Sequence, residues 1–156
     1  MVAESGVSLY RVVTVKRSGG ETFVAVDGGM GDNLEVSLYG QRFEAAVATR
    51  LPTPSEGTRG GGVPSEGAPS AQAAGERCRV VGRHCESGDV LSTDVFLPGP
   101  RPGDLIAVPA TGAYTYSLAN NYNAARRPPV IFCRDGHSRP VVRRETYADL
   151  MRRDLP

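Results

Sequence analysis

Residues 7–26 run VSLYRVVTVKRSGGETFVAV, two β-branched and aromatic runs around a Lys-Arg-Ser-Gly-Gly break. Val7–Val15 and Thr22–Val26 carry the side chains that suit a pleated surface, and glycine supplies the backbone freedom of a tight reversal. The pair predicts an antiparallel hairpin. Outward from it the same pattern repeats. Strand-like runs stand at Arg77–Val81, Val90–Leu97, Leu105–Val108 and Val130–Cys133, the last followed by Val141-Val142. Pro98-Gly99-Pro100 and Pro102-Gly103-Asp104 read as turns. Phe43–Thr49 fits strand or helix, and its strand neighbours favour strand. Helical pattern is confined to about Ala113–Ala119 and to the tail Glu145–Arg153, where Tyr147, Leu150 and Met151 share a face. The chain therefore predicts a mainly β fold: a mostly antiparallel Greek-key β-barrel or sandwich with one or two short helices.

The bulk properties narrow the function. A length of 156 residues suits one domain, 1–156, with a modest core. A net charge of +1 gives no field to gather nucleic acid or an anionic membrane. No apolar run approaches the ~18 residues of a membrane span. Met1–Gly6 lacks the basic and apolar blocks of a secretory signal, which makes the expected location cytoplasmic. Cys78, Cys85 and Cys133 cannot all pair internally, and with no C-x-x-C spacing they predict no metal site. Residues 51–76 change character. Six glycines (57, 60, 61, 62, 67, 75) and four prolines (52, 54, 64, 69) leave too little apolar surface to offset ordering entropy. This stretch is expected to be a disordered loop within the domain.

Three segments are unusual for plain scaffold. Val26–Gly40, VDGGMGDNLEVSLYG, reads as a long Gly-rich loop, or as a place where a ligand approaches the backbone closely. His84-Cys85-Glu86-Ser87-Gly88-Asp89 sets an imidazole, a thiol and a carboxylate side by side at a strand end. A thiol can act as general acid or nucleophile and a carboxylate can hold an ammonium, yet neighbours in a strand face opposite ways unless the chain turns. Pro109–Asn123, PATGAYTYSLANNYN, opens a short helix carrying Tyr114 and Tyr116. A phenol there could donate to a phosphate, although a buried, satisfied tyrosine is the commoner case. His137, in Arg134-Asp135-Gly136-His137-Ser138, reads as an exposed turn residue.

Taken in order, LYRVVTVKR, TFVAVDGGMGDN with SLYG, GRHCESGDVL, GDLIAVPATGAYTYSLANNYN, RRPPV and VVRRETYADL resemble the C-terminal β-domain of the diaminopimelate decarboxylases. These belong to the fold-type III pyridoxal-phosphate-dependent family that also includes ornithine and arginine decarboxylases. The resemblance implies a carboxy-lyase, meso-2,6-diaminopimelate to L-lysine plus CO2, with pyridoxal 5'-phosphate as cofactor and an amino acid as substrate. It implies that Tyr114 hydrogen-bonds the cofactor phosphate. It implies that Cys85 and Glu86 reach into a partner subunit's site, Cys85 as proton donor and Glu86 at the substrate's distal amine. It places Tyr39 near the distal carboxylate. One position departs: four residues before that tyrosine the family usually has an arginine, and here stands Glu35, which would repel a carboxylate where arginine would clamp it.

The family also carries an N-terminal (β/α)8 barrel with the Schiff-base lysine. The only lysine here is Lys16, beside a turn and in no such motif, and no β/α alternation is visible. The chain is therefore expected to be inactive alone and to work as a homodimer or with a separate barrel half. Without that half an apolar patch should be exposed, and the isolated chain should dimerise or aggregate. The competing readings are a non-catalytic binding module derived from this domain, a decarboxylase of another amino acid, and a small enzyme built on Cys85, Glu86 and His84.

Overall fold

The structure, a computed structural model, describes residues 2–48 and 75–155. Strands β1 (Val7–Ser18) and β2 (Glu21–Val26) form the expected hairpin, reversed through Gly19 and Gly20 at φ of 60° and 80°. Along β2 every second side chain, Thr22, Val24 and Val26, turns inward. On β1 Tyr10 and Val12 do the same. Val12 pairs with Val26 but Thr14 with Ala25, so Val13 is an extra residue facing out. This bulge moves the inward set by one position, and Val15 rather than Thr14 packs on the core.

Strands β3 (Ala46–Val47), β4 (Glu76–Val81), β5 (Val90–Leu97) and β6 (Leu105–Pro109) complete a six-stranded sheet in the order β3-β6-β1-β2-β4-β5. The sheet curls, because the Ser92 hydroxyl on β5 donates to the Phe43 carbonyl just ahead of β3 at 2.9 Å, joining the two edges. Inside the curl lie Val12, Val24, Val26, Val80, Leu91, Leu97, Ile106 and Val108, almost wholly excluded from water. Three one-turn helices, α1 (Glu35–Tyr39), α2 (Thr115–Leu118) and α3 (Tyr147–Leu150), sit outside the sheet. A separate hairpin, β7 (Val130–Arg134) with β8 (His137–Val142), turns on Asp135-Gly136. His137 is exposed, as its sequence context predicts, but it opens β8 rather than occupying the turn.

The fold is mainly β with short helices, as expected, and three expectations need correction. Within Phe43–Thr49 the strand among the described residues is limited to the two residues of β3, with the Phe43 carbonyl taken by Ser92 and Thr49 outside the described residues. The loop expected over 51–76 lies outside the described residues except at its end. There Glu76 belongs to β4, held by Arg17 at 2.7 Å and by the Thr22 hydroxyl at 2.8 Å. Residues 35–39 are a helix rather than Gly-rich loop. The sheet is mostly antiparallel, as expected, with β2 and β4 running parallel.

That parallel pair positions the candidate residues. β6 and β2 are both antiparallel to β1, so they point the same way, and β4 points with them. The C-terminal ends of β2, β4 and β6 therefore open at one end of the sheet, and each leads into one of the three unusual segments. Lys16 lies at the other end, paired with Phe23 near the start of β2.

Candidate functional site

The segment after β2 begins by tying itself back to the sheet. The Asp27 carboxylate accepts from the Arg11 N–H at 2.8 Å, and the Asp27 N–H donates to the Arg11 carbonyl at 3.0 Å. A tight turn follows, in which Asp32 and Asn33 both donate to the Gly29 carbonyl and the Asp32 carboxylate accepts from the Gly29 N–H. Burial raises the Asp32 carboxyl pKa, an effect that Arg83 opposes. The fully buried Asn33, one residue before the N-cap Leu34, accepts from the Glu35 N–H at 3.2 Å and so holds the start of α1. Gly40, at φ 65°, ends the helix with its N–H on the Val36 carbonyl. An Asn before the run and a Gly after it were the legible signals for this helix. The four residues separating Glu35 from Tyr39 put both on one side of it.

After β4 the chain turns sharply. The Glu86 N–H reaches the His84 carbonyl at 2.8 Å, and the Asp89 N–H reaches the Glu86 carbonyl at 3.1 Å. The turn needed to bring Cys85 and Glu86 out together is therefore present, and both side chains are exposed. After β6, Gly112 is pressed between residues 2–6, its N–H on the Ala3 carbonyl, where a β-carbon would collide with backbone. Tyr114 then leads into α2 at φ 63° and ψ −39°, a costly conformation for a non-glycine residue. Its ring is 72% exposed, and its hydroxyl makes no hydrogen bond among the described residues.

Cross-links stitch the three segments together. The buried Thr115, next to Tyr114, donates its hydroxyl to the Glu35 carboxylate at 2.5 Å. The Ser37 hydroxyl donates to the Gly88 carbonyl, which fastens α1 to the Cys85–Glu86 turn. Arg83 donates its N–H to the Gly28 carbonyl, and Asn120 donates to the Gly31 carbonyl. The tyrosine ring of residue 122 meets His84 edge-on at 5.2 Å.

Among the described residues, the cavity beside Cys85 takes in none of the other four candidates. Cys85 borders a cavity of about 350 Å³ with His84, Arg83, Arg126, Arg144 and Tyr147, while Tyr39, Glu86 and Tyr114 stand on open surface. Glu35 is half-buried and engaged with Thr115. Sequence reasoning missed Thr115 and Asp89, which make the contacts that arrange the others. Thr115 meets Glu35 80 residues away and Asp89 reaches Met30 59 residues away, and no local signal announces those two contacts.

A free phenol and an exposed carboxylate suit a phosphate-bearing, amine-bearing ligand. The only lysine, Lys16, lies at the other end of the sheet. The fold and this surface define a curled β-sheet domain that presents these side chains at one end. The chain belongs to the pyridoxal-dependent decarboxylase C-terminal sheet-domain family, which matches residues 2–112. Among similar proteins, a diaminopimelate decarboxylase of Actinosynnema pretiosum subsp. auranticum is 53% identical over 158 residues, covering 99% of this chain and 31% of that protein. The structure of an M. jannaschii diaminopimelate decarboxylase in complex with L-lysine superposes with a TM-score of 0.79 at 28% identity, over 99% of this chain and 31% of the other. A Helicobacter pylori diaminopimelate decarboxylase, also with L-lysine, gives a TM-score of 0.76 at 35% identity, over 97% and 32%. The chain thus spans just under a third of the length of the proteins it matches.

Proposed function

We propose that this chain is the C-terminal part of a pyridoxal-phosphate-dependent diaminopimelate decarboxylase, releasing CO2 from meso-2,6-diaminopimelate to give L-lysine. The observation that carries the proposal is the convergence of three segments at one end of the sheet. Each presents a side chain suited to this chemistry, and among the described residues the cavity beside Cys85 is not lined by Glu86, Tyr114, Tyr39 or Glu35. The rest of the site comes from a (β/α)8 barrel, attached or separate, and the working form is a homodimer in the cytoplasm. No helix among the described residues is long and apolar enough to cross a membrane.

Pyridoxal phosphate, when bound, would supply the electron sink for loss of CO2. The chain's own residues do the rest. Tyr114 donates from its hydroxyl to a phosphate oxygen and so orients the cofactor. Glu86 accepts from the ammonium at the far end of the substrate, and Tyr39 lies beside the substrate's distal carboxylate. Cys85 delivers the proton from Sγ to the substrate's α-carbon, and its exposure lets it reach a neighbouring subunit's site.

The test is reconstitution. The chain is combined with a barrel half carrying the lysine, and CO2 release from diaminopimelate is followed. Activity requiring both halves, with Cys85→Ser lowering kcat by roughly 10²- to 10⁴-fold, is the expected result. No gain over the barrel alone would overturn the proposal in favour of a non-catalytic binding module.

A second reading, decarboxylation of an amino acid without a distal carboxylate, has one specific observation in its favour. Glu35 stands half-buried, fixed by Thr115, on the same side of α1 as Tyr39. A carboxylate there repels a distal carboxylate and attracts an amine. Glu35→Arg should then raise kcat/KM for diaminopimelate relative to a monocarboxylic diamine acid such as lysine. An unchanged ratio would remove Glu35 from substrate selection.

A further inference from the structure

The turn that displays Cys85 and Glu86 begins and ends on one buried side chain. Asp89 is only 3% exposed. Its Oδ1 accepts from the Met30 N–H at 2.6 Å and its Oδ2 from the His84 N–H at 2.7 Å. Its own carbonyl accepts from the Gly82 N–H at 2.8 Å, and its own N–H closes the turn onto Glu86. One residue thus bonds the strand end before the turn, the turn itself, and the Gly28–Met30 loop across the parallel pair. Space is reserved for its carboxylate on both sides. A β-carbon at Gly29 would lie 2.5 Å from Oδ1, and one at Gly82 would collide with both oxygens.

We infer that Asp89 is the positioning residue of the Cys85–Glu86 pair, a carboxylate latch that fixes the turn against the Gly28–Met30 loop. A neutral amide cannot replace it. Both facing groups are N–H donors, so an Asn leaves one donor opposed by another donor. A longer Glu has no room between the two glycine backbones. The two glycines are required by the latch: Gly29 and Gly82 have no positive φ to explain them, only the carboxylate packed against them. The inference explains how residues 85–88 can be exposed and yet be held by the fold. Its functional meaning rests on the proposed role of Cys85, but its structural content does not.

The test has two arms. In the full 156-residue chain, Asp89→Asn is compared with wild type by amide hydrogen exchange. The Met30 and His84 amides should exchange on the order of tenfold or more faster, as expected for loss of a charge-assisted bond, while Val24 in the core keeps its protection. Gly82→Ala leaves Asp89 in place and should give the same local pattern by displacing the carboxylate. Unchanged exchange at Met30 and His84 overturns the latch. Equal loss at Val24 in both variants also overturns it, since Asp89 would then be a general stability residue. The second arm uses the chain assembled with a barrel half. Asp89→Asn should lower kcat on the order of tenfold, and adding it to Cys85→Ser should cost little more than Cys85→Ser alone. Fully additive losses overturn the positioning role. If Cys85→Ser itself has no effect on activity, the proton-donor reading fails, and the latch is judged by the exchange data alone.

Discussion

Tyr114 holds φ at 63° and ψ at −39° with 72% of its surface in water, so nothing that its own side chain buries offsets the strain. The neighbours impose it: Gly112 is clamped under residues 2–6, and Thr115 is held by Glu35. Such strain costs about 1–3 kcal/mol and is kept where a side chain must be aimed. Tyr114→Gly should therefore stabilise the isolated chain in urea denaturation, whereas Tyr114→Phe should leave it unchanged. In the assembled enzyme Tyr114→Phe should weaken pyridoxal phosphate binding by roughly 10- to 100-fold, the loss of one bond to a charged group, read by cofactor titration. A Tyr114→Phe variant with unaltered cofactor affinity would take the phenol out of the site.

At the scale of elements, α1 exists because both of its ends are fixed. A helix of five residues cannot persist on propensity. Asn33 holds the Glu35 N–H at one end, Gly40 closes the other, and Ser37 and Glu35 tie its sides to the Gly88 carbonyl and to Thr115. Gly40→Ala should cost about 1–2 kcal/mol, because the left-handed φ disfavours a β-carbon, and the midpoint of urea unfolding should fall accordingly. The tail obeys a different control. Arg127 holds the Glu145 carboxyl down to about 2, and Arg143, with the Thr146 cap, holds Asp149 well below the usual carboxylate range. Carboxyls depressed in the folded state stabilise it above their unfolded pKa and lose that contribution as pH falls towards the folded value. The α3 tail should therefore loosen between about pH 5 and 2. Asp32, raised by burial, acts in the opposite sense and gains as pH falls. Proton NMR of Tyr147, with Arg126 over its ring at 4.5 Å, would follow the tail. Constant Tyr147 shifts across that window would contradict the assignment.

At the scale of the whole molecule, the curled sheet buries one face and leaves the other open. Val7, Leu9 and Val13 on the central strand β1 are each more than half exposed, as is Phe132 on the separate hairpin. An apolar outer face on a strand paired at both sides is unusual for a domain that works uncovered. The isolated chain should self-associate at micromolar concentration in size-exclusion chromatography with light scattering. A clean monomer would count against a covered face. The core should behave conventionally. Ile106, fully buried opposite Tyr10 and Val47, should cost about 2–5 kcal/mol when cut to alanine, measured by urea unfolding under conditions that keep the chain monomeric.

The sequence alone marked most of the strands, because β-branched and aromatic runs such as TFVAV and the Gly and Pro breaks between them are local properties of the chain. It also marked the three segments that matter, since their composition departs from scaffold. It did not determine that β2 and β4 run parallel, that residues 35–39 coil, or that Glu35 turns to Thr115 and Asp89 to Met30 and His84. Those outcomes were decided by tertiary structure. Each depends on partners brought together only when the sheet forms, and a buried carboxylate takes whichever N–H or hydroxyl donors the fold delivers, because leaving it unpaired costs more than any local preference can offset.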